Sequence, residues 1–174
     1  IVGFEPNQKS FEVLNKECNS IATIANVALG EKNENKEMFV ETFNNGQSNS
    51  LLKPKLHLQQ YPKITFNSTE TVTVNTLDEW MGQNIQKDQH KFFNFLNMDV
   101  QGYEDKVLKG SLNFIHNVDY IFCEINRAEV YENCIQAQEL NDLIVSLGFT
   151  LKEINWGGIT WGDAFYIRSS KDVY

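Results

Sequence analysis

Three apolar runs in this chain each stop on an acid: Ile1–Glu5 (IVGFE), Phe93–Asp99 (FNFLNMD) and Tyr120–Glu124 (YIFCE). A near-continuous apolar run reads as a strand buried on both faces, and such strands belong to parallel sheets covered by helices. Helical segments stand between them. Phe11, Leu14 and Cys18 recur at helical spacing over Ser10–Cys18, and Thr76 can cap a helix over Leu77–Met81 with Asp78 and Glu79 at its positive end. Glu104–Gly110 and Gln136–Leu147 read as two further helices. Ile21–Leu29 and Glu37–Phe43 read as strands, and the strict alternation of TVTVNTL (71–77) predicts a half-buried one. Phe149–Ile154 and Ala164–Arg168 close the chain as an antiparallel pair, while residues 44–54 form a polar loop stopped by Pro54. The expected class is α/β: one domain over residues 1–174, with a mainly parallel sheet and helices on both faces.

Ligands of open parallel sheets bind outside the carboxyl ends of the strands. The three terminal acids therefore predict a shared cleft, where Asp99 projects, Gly102 permits close backbone approach and Glu104 sits in a first helical turn. The formal net charge is −8, which argues against a nucleic-acid partner. No apolar stretch approaches the ~18 residues of a membrane span and no signal pattern opens the chain, so a cytoplasmic location is expected. The three cysteines, Cys18, Cys123 and Cys134, show neither an even count nor Cys/His ligand spacing, which predicts reduced thiols without a zinc site. The opening IVG matches the start of a processed trypsin-like protease, but no Gly-Asp-Ser-Gly segment follows.

In order along the chain, FEPN, NVALG, QSNSLLKP, TLDEW, NFLNMDVQGYEDKVLKG, YIFCEI and WGDAFYIR resemble the segments of FkbM-like methyltransferases. The resemblance implies a Rossmann-like fold, S-adenosylmethionine as cofactor and O-methylation of a sugar, glycan or other small-molecule hydroxyl. It gives Glu5 the cofactor ribose, with Asn7 beside it, and places Asn26, Val27 and Ala28 along the adenine. Asp99 falls near methyl donor and acceptor. Ser48, Ser50 and Leu51 lie in a loop over the substrate, and Glu124 and Asp163 at later strand mouths. Glu104 joins the substrate side, with a helix-dipole role as its alternative, and Trp161 offers a stacking face, as do Tyr61 and Trp156. His57 titrates near neutrality and is a second base candidate beside Asp99.

Two departures stand out. The family more often has Glu where Gln101 stands. It also begins with a strand and an Asp-x-Gly-x-Asn-x-Gly turn that should precede Ile1, so the chain reads as a fragment impaired in cofactor binding. The missing strand would lie between Ile1–Glu5 and Phe93–Asp99. That gap is expected to close by direct parallel pairing of the two, or by pairing with a second copy in a homodimer. Two other readings are a non-catalytic binding or assembly module, and a metal-assisted transferase with Mg²⁺ on Asp99, Glu104 and Glu124.

Overall fold

A computed structural model describes residues 1–171. In chain order the elements are β1 (Val2–Phe4), α1 (Gln8–Cys18), β2 (Thr23–Ala25), β3 (Ala28–Leu29), β4 (Glu34–Glu41), α2 (His57–Gln60) and β5 (Phe66–Asn75). There follow α3 (Leu77–Asn84), β6 (Phe95–Met98), α4 (Glu104–Lys109), β7 (Tyr120–Asn126), α5 (Ala137–Ser146), β8 (Phe149–Asn155) and β9 (Trp161–Arg168). The α/β class holds, but the single mainly parallel sheet does not. The described strands form three sheets, ordered β1-β2, β3-β5-β4 and β6-β7-β9-β8. Pairing is parallel in β1–β2, β3–β5 and β6–β7, and antiparallel in β4–β5, β7–β9 and β8–β9. The expected C-terminal antiparallel pair is present, with β9 inserted between β7 and β8.

The predicted strand Ile21–Leu29 is two strands in two sheets. At the break, the Asn26 side chain donates to the carbonyls of Glu5 and Pro6, which pulls the backbone off the β1 ladder. The run at Phe93–Asp99 also differs from expectation. Residues Lys87–Phe92 form a 3-10 helix, so pairing starts at Phe95. This strand is not buried on both faces: Phe95 is 56% exposed, and Phe92, at the end of the preceding 3-10 helix, is 73% exposed.

Register explains the asymmetry. Ile121, Cys123 and Ile125 of β7 share one face with Ala164 and Tyr166 of β9, and this face packs on Leu77 and Met81 of α3 and Leu140 and Ile144 of α5. Each fully buried aliphatic side chain here contributes roughly 1.5–3 kcal/mol. Phe95, Tyr120, Phe122 and Phe165 share the other face and lie exposed or half-exposed, so helices cover this sheet on one side among the described residues. α4 is seated by close backbone approach: a Cβ on Gly110 at its end would lie 1.9 Å from the Gly30 carbonyl. The Gly110 carbonyl in turn accepts from Asp78 N at the start of α3 (3.0 Å).

Direct pairing of β1 with β6 is not what the structure shows. β1 pairs with β2, β6 pairs with β7, and the two remaining strand edges line one cavity. With three and four residues respectively, the strands are short. Their outer partners β2 and β7 hold them in separate sheets.

Candidate active site

The site is organised by the turn that leaves β6. Gln101 (φ 53°) and Gly102 (φ 92°) both take left-handed backbone, which reverses the chain into α4. Glu104, 1% exposed, turns its carboxyl back on this turn and accepts from Val100 N (3.3 Å) and Gly102 N (3.2 Å). Burial pushes it up to about 7 against those hydrogen bonds. Glu104 thus pins the turn from beneath and does not line the cavity. Close packing holds the turn from the other side, where a Cβ on Gly102 would meet Cys134 Cβ at 2.7 Å.

Asp99 lies just beyond the end of β6, and Glu124 stands on the open face of β7 with Asp163 opposite it on β9. Asp99 and Glu124 line the cavity, whose volume is about 1210 Å³. Between them sits the side-chain amide of Gln101, which donates to Asp99 Oδ1 (2.5 Å) and Glu124 Oε2 (2.8 Å). Its Oε1 accepts from the Tyr131 hydroxyl (2.7 Å), and its backbone carbonyl from Ser50 Oγ (2.8 Å). Asn126 Nδ2 donates to Glu124 Oε1 (3.3 Å). Burial raises Glu124 to about 9, reinforced by the hydrogen bond and charge of Asp99. Asp163 is raised as well, first by burial and then by Asp99.

His57, the second base candidate, opens α2 and is 4% exposed. Its Nε2 lies 3.1 Å from Ser48 Oγ, and Nδ1 has no partner among the described residues. The rings of Tyr61, Phe66 and Tyr131 surround it. Burial lowers it below the ordinary histidine value, with Glu41 opposing. His57, Ser48, Ser50, Leu51 and Trp161 all line the same cavity as Asp99. Trp161 Nε1 donates to Tyr61 Oη (2.8 Å), joining two aromatic residues from distant parts of the chain in the cavity wall.

On the β1 side, Glu5 and Ala28 line the cavity. The Glu5 carboxyl accepts from Asn7 N (2.7 Å); burial raises it, that bond opposes, and Glu70 adds to the rise. The other residues expected there are turned to local tasks. Asn7 caps α1 by accepting from Ser10 N (3.1 Å), Asn26 fastens the Glu5–Pro6 backbone, and Val27 is not among the lining residues. The Mg²⁺ set fails on geometry. Glu104 points at backbone amides, and among the described residues no three of His, Cys, Asp or Glu are grouped to hold a metal ion. Gln101 stood out from sequence only as a departure from the family pattern, and Tyr131 and Asn126 not at all, since none of the three carries a charge.

The class that fold and site define is an α/β domain with acids gathered at strand mouths around a cavity of ligand size. More specifically, the chain belongs to the FkbM methyltransferase family: the family model described as a methyltransferase FkbM domain matches residues 1–151. It is also similar to the 2-O-methyltransferase NoeI of Sinorhizobium fredii (strain NBRC 101917 / NGR234), with 28% identity over 99 residues, which is 57% of this chain. That stretch spans 39% of the relative's own length. No solved structure matches the chain. Among the described residues no helix is long and apolar enough to cross a membrane.

Proposed function

We propose that this chain forms the acceptor side and part of the cofactor surface of an S-adenosylmethionine-dependent O-methyltransferase. Its acceptor would be a hydroxyl of a sugar or other small molecule, and its setting the cytoplasm. One observation carries the reading: Asp99 and Glu124, fastened together, face a cavity that also holds Glu5 at its other wall. That the relative NoeI is a 2-O-methyltransferase favours a hydroxyl acceptor.

The residues suit the nucleoside end of S-adenosylmethionine. Glu5 presents a carboxylate for a ribose diol, and Leu29 and Met38 line the apolar stretch nearby. When bound, the cofactor supplies an electrophilic methyl group. Asp99, exposed into the cavity, takes the proton of the acceptor hydroxyl, while Trp161 and Tyr61 offer flat faces against which a sugar ring can be oriented. His57 supports Ser48 in the wall and is the second base candidate. Because the space between β1 and β6 is open, we further propose weak cofactor binding by this chain, and a Rossmann-like arrangement once a strand fills that space.

The test is methyl transfer from labelled S-adenosylmethionine, at millimolar concentration, to a panel of glycosides. Asp99→Asn should lower turnover by about 100-fold while leaving cofactor affinity nearly unchanged. Turnover untouched by Asp99→Asn would remove Asp99 from the chemistry. Absence of both binding and transfer would favour the non-catalytic module, and micromolar cofactor affinity by calorimetry would overturn the expectation of weak binding.

A further inference from the structure

Gln101 holds a left-handed backbone (φ 53°), a conformation that residues other than glycine adopt infrequently. Every polar atom of its side chain is engaged, by groups from two strand ends and from the Tyr131 segment. We propose that Gln101 is a positioning residue for the chemistry at this cavity: its amide holds the carboxyl groups of Asp99 and Glu124 side by side, as one acid pair. The catalytic consequence rests on reading Asp99 as the proton acceptor; the clamp itself does not.

A primary amide is suited to this task because it has two N–H donors and no charge at any working pH. Here one donor serves each carboxyl. The Tyr131 hydroxyl on Oε1 fixes the amide's orientation, so rotation would break all three bonds. The charged groups acting on Glu124 are Asp99 and Glu104, with Asp163 facing it from β9. Cys123 on β7 and Tyr131 are both raised above their ordinary values, chiefly by burial, and keep their protons. Two carboxyls drawn this close among further acids cannot both ionise readily, so the pair keeps one proton. Glu124 is the more buried member and the one whose affinity for a proton is raised, while Asp99 lies exposed toward the cavity.

Gln101→Glu tests the clamp without needing cofactor or activity. The new carboxyl would lie between two others, so its folded-state pKa would be raised above its unfolded value. The stability it contributes is then complete below the unfolded value and lost as pH rises through the folded one. Measured by urea unfolding, the folding constant of Gln101→Glu relative to the parent should fall by about tenfold or more between pH 5 and pH 8. Adding Glu124→Gln to that variant exchanges amide and acid, and should restore the ratio to within about threefold at pH 8. A ratio that stays flat with pH, or a double variant that shows no rescue, would overturn the clamp. Should Gln101→Glu not fold, carboxyl ¹³C shifts of the parent decide instead. The clamp requires the pair to titrate in two well-separated steps, and independent titration of Asp99 and Glu124 in the ordinary carboxylate range would overturn it.

Discussion

Glu104 stores a carboxyl beneath the β6 turn where charge is poorly tolerated, at about 7 against an ordinary 4.5. Its folded pKa is the higher one, so its contribution to stability is complete below the unfolded value and declines as pH rises through about 7. Over that range the parent should lose on the order of 3 kcal/mol from this residue. Glu104→Gln should lessen the decline by about that amount and leave the share due to Glu124, as read by denaturant unfolding at pH 5 and pH 8. An undiminished decline would assign the pH dependence to another group. This residue also shows what sequence could and could not reveal. Asp99 and Glu124 were legible because an acid closing an apolar strand has few places to go but a cleft. Glu104 carries the same charge, but first-turn acids are usually solvated, and its burial depends on how Cys134 and Tyr131 close over Gly102. The importance of Gln101 was illegible for a similar reason, since its partners Glu124 and Tyr131 are brought in by tertiary structure.

Among the elements, α3 and α4 were readable from local signals. Thr76 accepts from Glu79 N (3.2 Å) as an N-cap, and α4 spans Glu104–Lys109 with Gly110 as its C-cap. Two glycines of these helical segments, one within α3 and one capping α4, should respond oppositely to alanine. Gly110 has no room, because its added methyl would collide with the Gly30 carbonyl at 1.9 Å, and Gly110→Ala should cost about 3 kcal/mol. Gly82, within α3, has nothing within 4 Å of an added Cβ, and Gly82→Ala should stabilise by about 0.5–1 kcal/mol. Urea midpoints for the two variants check both signs. Strands were less legible where a side chain takes over the backbone's partners. The apolar run Ile21–Leu29 gives no hint that Asn26 will bind two carbonyls twenty residues away. β4 begins at Glu34 within a polar stretch, and its strand character comes from pairing with β5 rather than from its own pattern.

At the scale of the whole molecule, strand order was the least legible feature, because neighbours in a sheet are chosen by contacts far apart in sequence. Continuous apolar character implied one covered parallel sheet; three sheets and a half-exposed aromatic face are what the chain forms. The open edges of β1 and β6 carry a consequence for amide hydrogen exchange. Glu5 N donates to Ala25 O and Ile1 O accepts from Thr23 N, so odd-numbered residues of this segment point their backbone groups at β2. Val2 and Phe4 therefore aim their amides into the cavity. Asn94 O accepts from Tyr120 N, which turns Leu96 and Met98 toward β7 and leaves Phe95 and Asn97 facing the cavity. Deuterium should thus enter in a two-residue rhythm, quickly at Val2, Phe4, Phe95 and Asn97 and slowly at Gly3, Glu5, Leu96 and Met98. Joint protection of the four fast amides at high protein concentration would report a second polypeptide strand lodged between β1 and β6.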